Sequence, residues 1–240
     1  EVLTSVSVES ITNKGDYAII DYVAPDGTKT ELDVNVVIIS VGRRPRSENI
    51  GLAENGIEID ERGFVKVNGN MQTNVEGIYA VGDLVPTPAL AHVGFAEAMV
   101  VIKTLLGENP ASIDYTKVPW GIYCHPEVSF CGMTEDAAKE WAAQNGKEIV
   151  VKKEGFIGDG RAIIIGETDG FMKLIAEKDG PLLGVHIVGP WATELLGEGY
   201  LAVNWEATVE DIATLIHPHP TLSEVFGEAA IAMTGRPIHG

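Results

Sequence analysis

The sequence carries only two cysteines, Cys124 and Cys131, among its 240 residues. So few cannot build a disulfide framework, and a reducing, cytoplasmic setting is expected. Cations are scarce as well: 17 Lys and Arg face 35 Asp and Glu, a formal net charge of −18. A phosphate backbone is repelled by most of such a surface, which argues against nucleic-acid binding. No apolar run reaches the ~18–20 residues of a membrane span, so no membrane partner is expected. No secretory signal pattern is present. Two short motifs are missing too. No Gly-x-Gly-x-x-Gly follows a strand, so there is no dinucleotide-phosphate loop. No Cys-x4-Cys occurs either, since six residues separate Cys124 from Cys131. Both cysteines read as structural, and no four convergent ligands suggest a metal site. The chain starts at Glu1 inside a strand-like pattern. It reads as a piece of a longer protein, or as a processed one.

What is present is an ordinary globular profile, 45% hydrophobic and 22% charged, enough for one large core or two smaller ones. Asp16–Val23 and Lys29–Leu32 alternate like strands around the turn Ala24–Gly27. Val34–Gly42 is nearly all β-branched, the pattern of a strand buried on both faces of a parallel sheet. Two short strands are expected around Asp60–Gly63, a further strand over Ile78–Asp83, and a helix over Ala91–Leu106 that stops at Gly107. From about Val118 the layout turns strand-rich. Strands are expected over Trp120–Phe130, Glu148–Phe156, Ala162–Gly166, Phe171–Ala176 and Leu183–Val188. Helices are expected from Thr134 to Gln144, Glu194 to Asn204, Thr208 to Leu215 and Thr221 to Met233. Thr208 with Asp211, and Thr221 with Glu224, have the spacing of capping pairs. The fold class is therefore α/β plus α+β, in three parts: 1–45, 46–116 and 117–240.

The strongest chemical signal is His217-Pro218-His219-Pro220-Thr221-Leu222-Ser223-Glu224. Proline on either side of His219 restricts its backbone, and a carboxylate five positions on could fix the ring's tautomer and stabilise its protonated form. The same residues also read as a capping box, with prolines ending the previous helix; Glu224 could serve both uses through different oxygens. Thr73–Asp83 ends in Gly82-Asp83, either a tight turn or a close backbone approach followed by an accepting carboxylate. Ala89-Leu90-Ala91-His92 opens a helix, whose N-terminus presents free N–H groups. Val41-Gly42-Arg43-Arg44-Pro45 is a glycine turn followed by two cations.

Taken together, these strings resemble the dihydrolipoamide dehydrogenases, FAD-dependent disulfide reductases. His219–Glu224 matches the family's C-terminal pattern letter for letter; glutathione- and mercuric-type reductases share the His-Pro-Thr and the Glu but usually differ between them. The resemblance covers essentially the whole chain, as roughly the C-terminal half of such an enzyme. It implies the tail of an NAD-binding domain, the closing part of an FAD-binding domain, and an antiparallel-sheet dimerisation domain. It implies that His219 accepts a proton and Glu224 orients it, serving the other subunit of a homodimer. It places Gly82, Asp83, Ala89, Leu90, Ala91 and His92 at FAD, and Gly42 and Val6 at NAD. The implied activity is reoxidation of dihydrolipoamide through an active-site disulfide and FAD, reducing NAD. The implied partners are lipoyl domains of 2-oxo acid dehydrogenase complexes or of the glycine cleavage system. Tyr123-Cys124-His125-Pro126-Glu127 resembles the opening of the interface domain, with Cys124 where threonine is usual. Without the redox pair and the fingerprints, this chain alone is expected to be inactive and to bind either cofactor weakly or not at all. A stand-alone dimerisation module and a glutathione- or mercuric-type fragment are the alternatives.

Overall fold

The computed structural model describes residues 1–235. It is a mixed α/β structure with antiparallel sheets, in two compact units, Glu1–Pro45 and Arg46 onward. The first unit is a three-stranded meander of β1 (Ser7–Asn13), β2 (Ala18–Val23) and β3 (Lys29–Val34). The Ala24–Gly27 turn is closed by the Gly27 amide donating to the Ala24 carbonyl. The buried parallel strand expected over Val34–Gly42 does not form. Val36, Ile38, Ile39 and Val41 are 69–91% exposed, and the segment after Val34 has no regular structure. A strand of that kind needs a neighbouring strand to take its ladder bonds, and beyond Val34, which closes β3 against Ala18, no described residue of the segment is paired.

In the second unit, residues 46–90 fold around a small apolar cluster of Ile57, Val65, Ala80 and Val85. The strands expected here shrink to two isolated bridges, Ile59↔Val65 and Gln72↔Tyr79. Side chains take over the work of a ladder: Asp60 Oδ1 accepts from the amides of Arg62 and Phe64, and Asn68 Oδ1 from those of Asn70 and Gln72. The expected strand into Gly82-Asp83 ends instead in a 3₁₀ turn, Gly82–Leu84. Helix α1 (Ala91–Leu105) follows, as its spacing predicts.

The remainder is a five-stranded antiparallel sheet in the order β4-β5-β8-β7-β6. Its strands are β4 (Trp120–Ile122), β5 (Glu127–Gly132), β6 (Ile149–Gly155), β7 (Phe171–Glu177) and β8 (Leu182–Gly189). The single strand expected over Trp120–Phe130 is a hairpin broken at the cis His125–Pro126 bond. Helix α2 (Glu135–Asn145) is capped as expected by Thr134, whose hydroxyl accepts from the Ala137 amide, and stops at left-handed Gly146. The strand expected over Ala162–Gly166 is a helix, α3 (Gly160–Ile165). Asp159 caps it by accepting from the Ala162 amide at 2.7 Å, and that local bond outweighs the β-preference of three isoleucines.

One face of the sheet carries Cys131, Met172, Leu174, Val185 and Ile187, each no more than 1% exposed. Helices α4 (Ala192–Asn204), α5 (Val209–Ala213) and α6 (Glu224–Met233) share this core through Leu196, Ile212 and Phe226. Thr208 and Asp211 cap α5 reciprocally, as their spacing predicts. Thr221 and Glu224 do not. The Thr221 amide donates to Glu224 Oε2, but the Thr221 hydroxyl turns to the Pro218 carbonyl at 2.6 Å. Ile187 is fully buried, Leu195 is partly buried against the main core and Leu201 is 45% exposed, while Phe130 stacks between Trp120 and His186. Among the described residues, no helix is long and apolar enough to cross a membrane.

Candidate active site

The His217–Glu224 segment leads into α6, and the core fixes it from below. Leu222, Val225 and Phe226 are at most 8% exposed and belong to the main cluster. That anchoring leaves His219 outside, its side chain 77% exposed, with the Glu224 side chain beneath it at 21%. His219 Nδ1 lies 3.0 Å from Glu224 Oε1, while Glu224 Oε2 takes the Thr221 amide at 2.8 Å. One carboxylate thus holds both the ring and the Thr221 backbone amide, which is the half of the capping pair that forms.

Burial works against the charged form of Glu224. The Thr221 amide and the His219 ring outweigh it and hold the carboxyl below its ordinary 4.5. An ionised carboxylate only accepts, so in the neutral ring the Nδ1 of His219 is the donor to Glu224 and Nε2 carries the lone pair. A second acid stands nearby: Asp159 is 5% exposed, and burial pushes its carboxyl up, as does the charge of Glu224.

The depressed carboxyl sets a pH dependence. Because its folded value lies below the unfolded one, Glu224 stabilises the fold above about pH 4.5 and loses that contribution as pH falls through the folded value. Urea unfolding across pH should show Glu224→Gln less stable than wild type at neutral pH, with the gap closing on acidification. A gap independent of pH contradicts the pairing.

The residues expected at FAD lie together on one stretch. Gly82 has φ +71 and Asp83 is exposed in the 3₁₀ turn just before α1. Helix α1 begins after Leu90 with no side-chain cap. Ala89, Ala91 and His92 are exposed at that open end, with Leu90 half-buried. The His92 ring meets the Pro119 carbonyl at 2.8 Å, a tie the sequence did not suggest. Thr87 Oγ1, between the turn and the helix, is buried without a partner. A left-handed glycine, an exposed acid, an uncapped helix start and an orphaned hydroxyl fit a polar group docked along this stretch. Gly42, with φ +100, is exposed in the first unit, and Val6 is half-buried just ahead of β1.

Sequence reasoning missed the group that holds this turn. Glu97 is 0% exposed; its Oε2 accepts from the Gly82 amide at 2.6 Å and its Oε1 from the Tyr115 hydroxyl at 3.0 Å. Burial, then the Glu97 contact, pushes the Tyr115 hydroxyl well above its usual range. The signal was in the spacing: Val93, Glu97 and Val100 form one buried helix face. Glu97→Ala strands two donors, and urea unfolding should show a loss of about 2–4 kcal/mol, with Glu97→Gln milder. A loss under about 0.5 kcal/mol contradicts the network.

The two cysteines lie apart from these features. Cys124 is exposed, and Cys131 is buried with its thiol pushed up to about 11, mainly by burial. A thiol so raised stays protonated and unreactive near neutrality.

Two family models match. Residues 1–98 fit the pyridine nucleotide-disulphide oxidoreductase model, and 118–230 fit the dimerisation domain of the same family. The chain therefore belongs to the pyridine nucleotide-disulphide oxidoreductases. Among its relatives are the dihydrolipoyl dehydrogenases of Corynebacterium glutamicum, 41% identical across this whole chain and 51% of that protein, and of Bacillus subtilis, 40% identical across the whole chain and 50% of that protein. The mitochondrial dihydrolipoyl dehydrogenase of Caenorhabditis elegans is 41% identical over 87% of this chain and 41% of its own length. The chain spans about half the length of the curated relatives it matches. In fold it is similar to LpdA from Mycobacterium tuberculosis (TM-score 0.83, 24% identity, 95% of this chain and 48% of that one). The HOCl-induced flavoprotein disulfide reductase RclA from Escherichia coli is equally similar, with TM-score 0.83 and 24% identity over 93% of this chain and 50% of that one.

Proposed function

We propose that this chain forms the closing half of a dihydrolipoamide dehydrogenase, hereafter the parental reductase. The observation that carries the reading is the His219–Glu224 pair: an exposed imidazole, 3.0 Å from a carboxylate that is itself fixed by a backbone amide. Glu224 holds the proton on Nδ1, so Nε2 is the base. It takes the proton of a dihydrolipoamide thiol, and the resulting thiolate attacks the redox disulfide, since thiolates rather than thiols exchange. Glu224 then stabilises the imidazolium. That disulfide belongs to the Cys-x4-Cys pair this sequence does not contain. FAD, when bound, would supply the two-electron and hydride-transfer chemistry that links the disulfide to NAD⁺. Asp83 would hold FAD by accepting from ribityl hydroxyls, and the amides at Ala89–His92 would stabilise negative charge at the flavin edge. Gly42 and Val6 would contact NAD, Val6 through its backbone.

Homodimerisation belongs to the same reading. Ile157, Ile163, Ile164 and Trp191 are 59–72% exposed, and an apolar surface of this kind is the sort a second copy covers. In the dimer, His219 serves the partner's disulfide. Lipoyl domains of 2-oxo acid dehydrogenase complexes or of the glycine cleavage system are the proposed substrates' carriers, in the cytoplasm.

The missing cysteine pair favours a non-catalytic dimerisation module for the chain by itself. One experiment separates the readings. Fused to the N-terminal half of the Corynebacterium glutamicum relative, this chain should give a yellow dimer that reduces NAD⁺ with dihydrolipoamide. A folded, colourless dimer supports the module instead.

A further inference from the structure

We infer that His217 and Glu198 are positioning residues: a second imidazole–carboxylate pair that holds the His219–Glu224 dyad in register. The inference rests on the reading of His219 as proton acceptor and extends it to residues without a place in that reading. His217 Nε2 lies 2.9 Å from Glu198 Oε1 on α4, and its side chain is only 10% exposed, against 77% for His219. The ring also rests on α6. A Cβ at Gly227 would stand 2.5 Å from His217 Nδ1, so the position leaves room for the imidazole only as glycine. Gly227 follows Glu224 by three residues and therefore shares its helix face, one turn on. The two histidines are thus seated side by side on α6, one over Glu224 and one over Gly227, with Glu198 closing the inner seat from α4.

The link between the seats is short and stiff. Only Pro218, His219 and Pro220 separate His217 from Thr221, and both prolines fix φ. The Pro218 carbonyl is itself held by the Thr221 hydroxyl at 2.6 Å. A shift of His217 is therefore carried to His219 with little slack. A movement of about 0.5–1 Å takes the 3.0 Å Nδ1–Oε1 contact past the range of a useful hydrogen bond. The charged groups around the pair are Glu198 from α4, Glu224 from α6 and Asp159 at the start of α3; Glu224 feels the charge of both histidines.

The test reads the His219 tautomer in the ¹⁵N-labelled 240-residue chain by two-bond ¹⁵N–¹H correlation, at a pH where the ring is neutral. Wild type should show Nδ1–H, and Glu224→Ala should return His219 toward the Nε2–H form usual for free histidine. Glu198→Ala should cut the Nδ1–H share by about half or more, whereas Glu198→Gln, which still accepts from His217, should restore it. Gly227→Ala, which displaces the ring and leaves Glu198 intact, should act like Glu198→Ala and serves if that variant does not fold. An Nδ1–H share unchanged in the folded Glu198→Ala or Gly227→Ala variant overturns the inference, whatever their melting temperatures. A wild-type chain without the Nδ1–H form, or one indifferent to Glu224→Ala, overturns instead the reading beneath it.

Discussion

Replacing His219 with glutamine in the parental reductase is expected to lower dihydrolipoamide turnover by about 10²–10⁴-fold, the usual worth of a positioned general base. NADH oxidation by ferricyanide should continue at its original rate, because no thiol proton moves in that reaction. Glutamine keeps a polar side chain of similar reach but cannot take up a proton. Glu224 would remain bound to the Thr221 amide, so the segment should keep its shape. Glu224→Gln should be intermediate. It keeps an acceptor for Nδ1–H but loses the charge that stabilises the imidazolium, which shifts the pH profile as well as the rate. Equal losses in both assays would point to a damaged fold, and no loss in either would remove His219 from the chemistry.

Asp83→Ala is expected to weaken flavin binding about 10–100-fold, from the loss of hydrogen bonds to a charged acceptor. Dilution and ultrafiltration of the parental reductase, followed by fluorescence of the released FAD, would read this directly. The effect should exceed that of any single change among Ala89, Leu90, Ala91 and His92. Those residues are assigned through backbone amides, which substitution leaves in place. Asp83 sits on a turn held by Glu97 through the Gly82 amide, and Gly94 comes close to Gly82, where a Cβ would lie 3.4 Å from its Cα. Glu97→Gln should therefore perturb flavin affinity less than Asp83→Ala. An Asp83→Ala protein that holds FAD as tightly as wild type would contradict the assignment.

Local chemistry explains which parts of this architecture the sequence announced. Thr134 and Gly146 bound α2 because a hydroxyl cap and a left-handed glycine act within a few residues. The Thr208–Asp211 box is legible for the same reason. The His219–Glu224 contact spans five positions across a proline-fixed turn, so its spacing was informative. Three features were hidden. Ile163–Ile165 carry strand propensity, yet one cap at Asp159 made them helical. Val34–Val41 reads as buried because composition records what a segment could pack against, and no described strand flanks it. His217, in the segment between α5 and α6, finds Glu198 on α4, a tertiary pairing that no local pattern contains. Glu97 lies between these cases. Its place on an apolar helix face was visible, but its partners, Gly82 and Tyr115, were not.

The central claim is that an imidazole steadied by Glu224 removes a thiol proton. Stopped-flow reduction of the flavin tests it most directly, with dihydrolipoamide in one syringe series and NADH in another, for the parental reductase and its His219→Gln variant. The account predicts that reduction by dihydrolipoamide slows by about 10² or more while reduction by NADH keeps its rate. If both reductants act at wild-type speed, His219 is not the base.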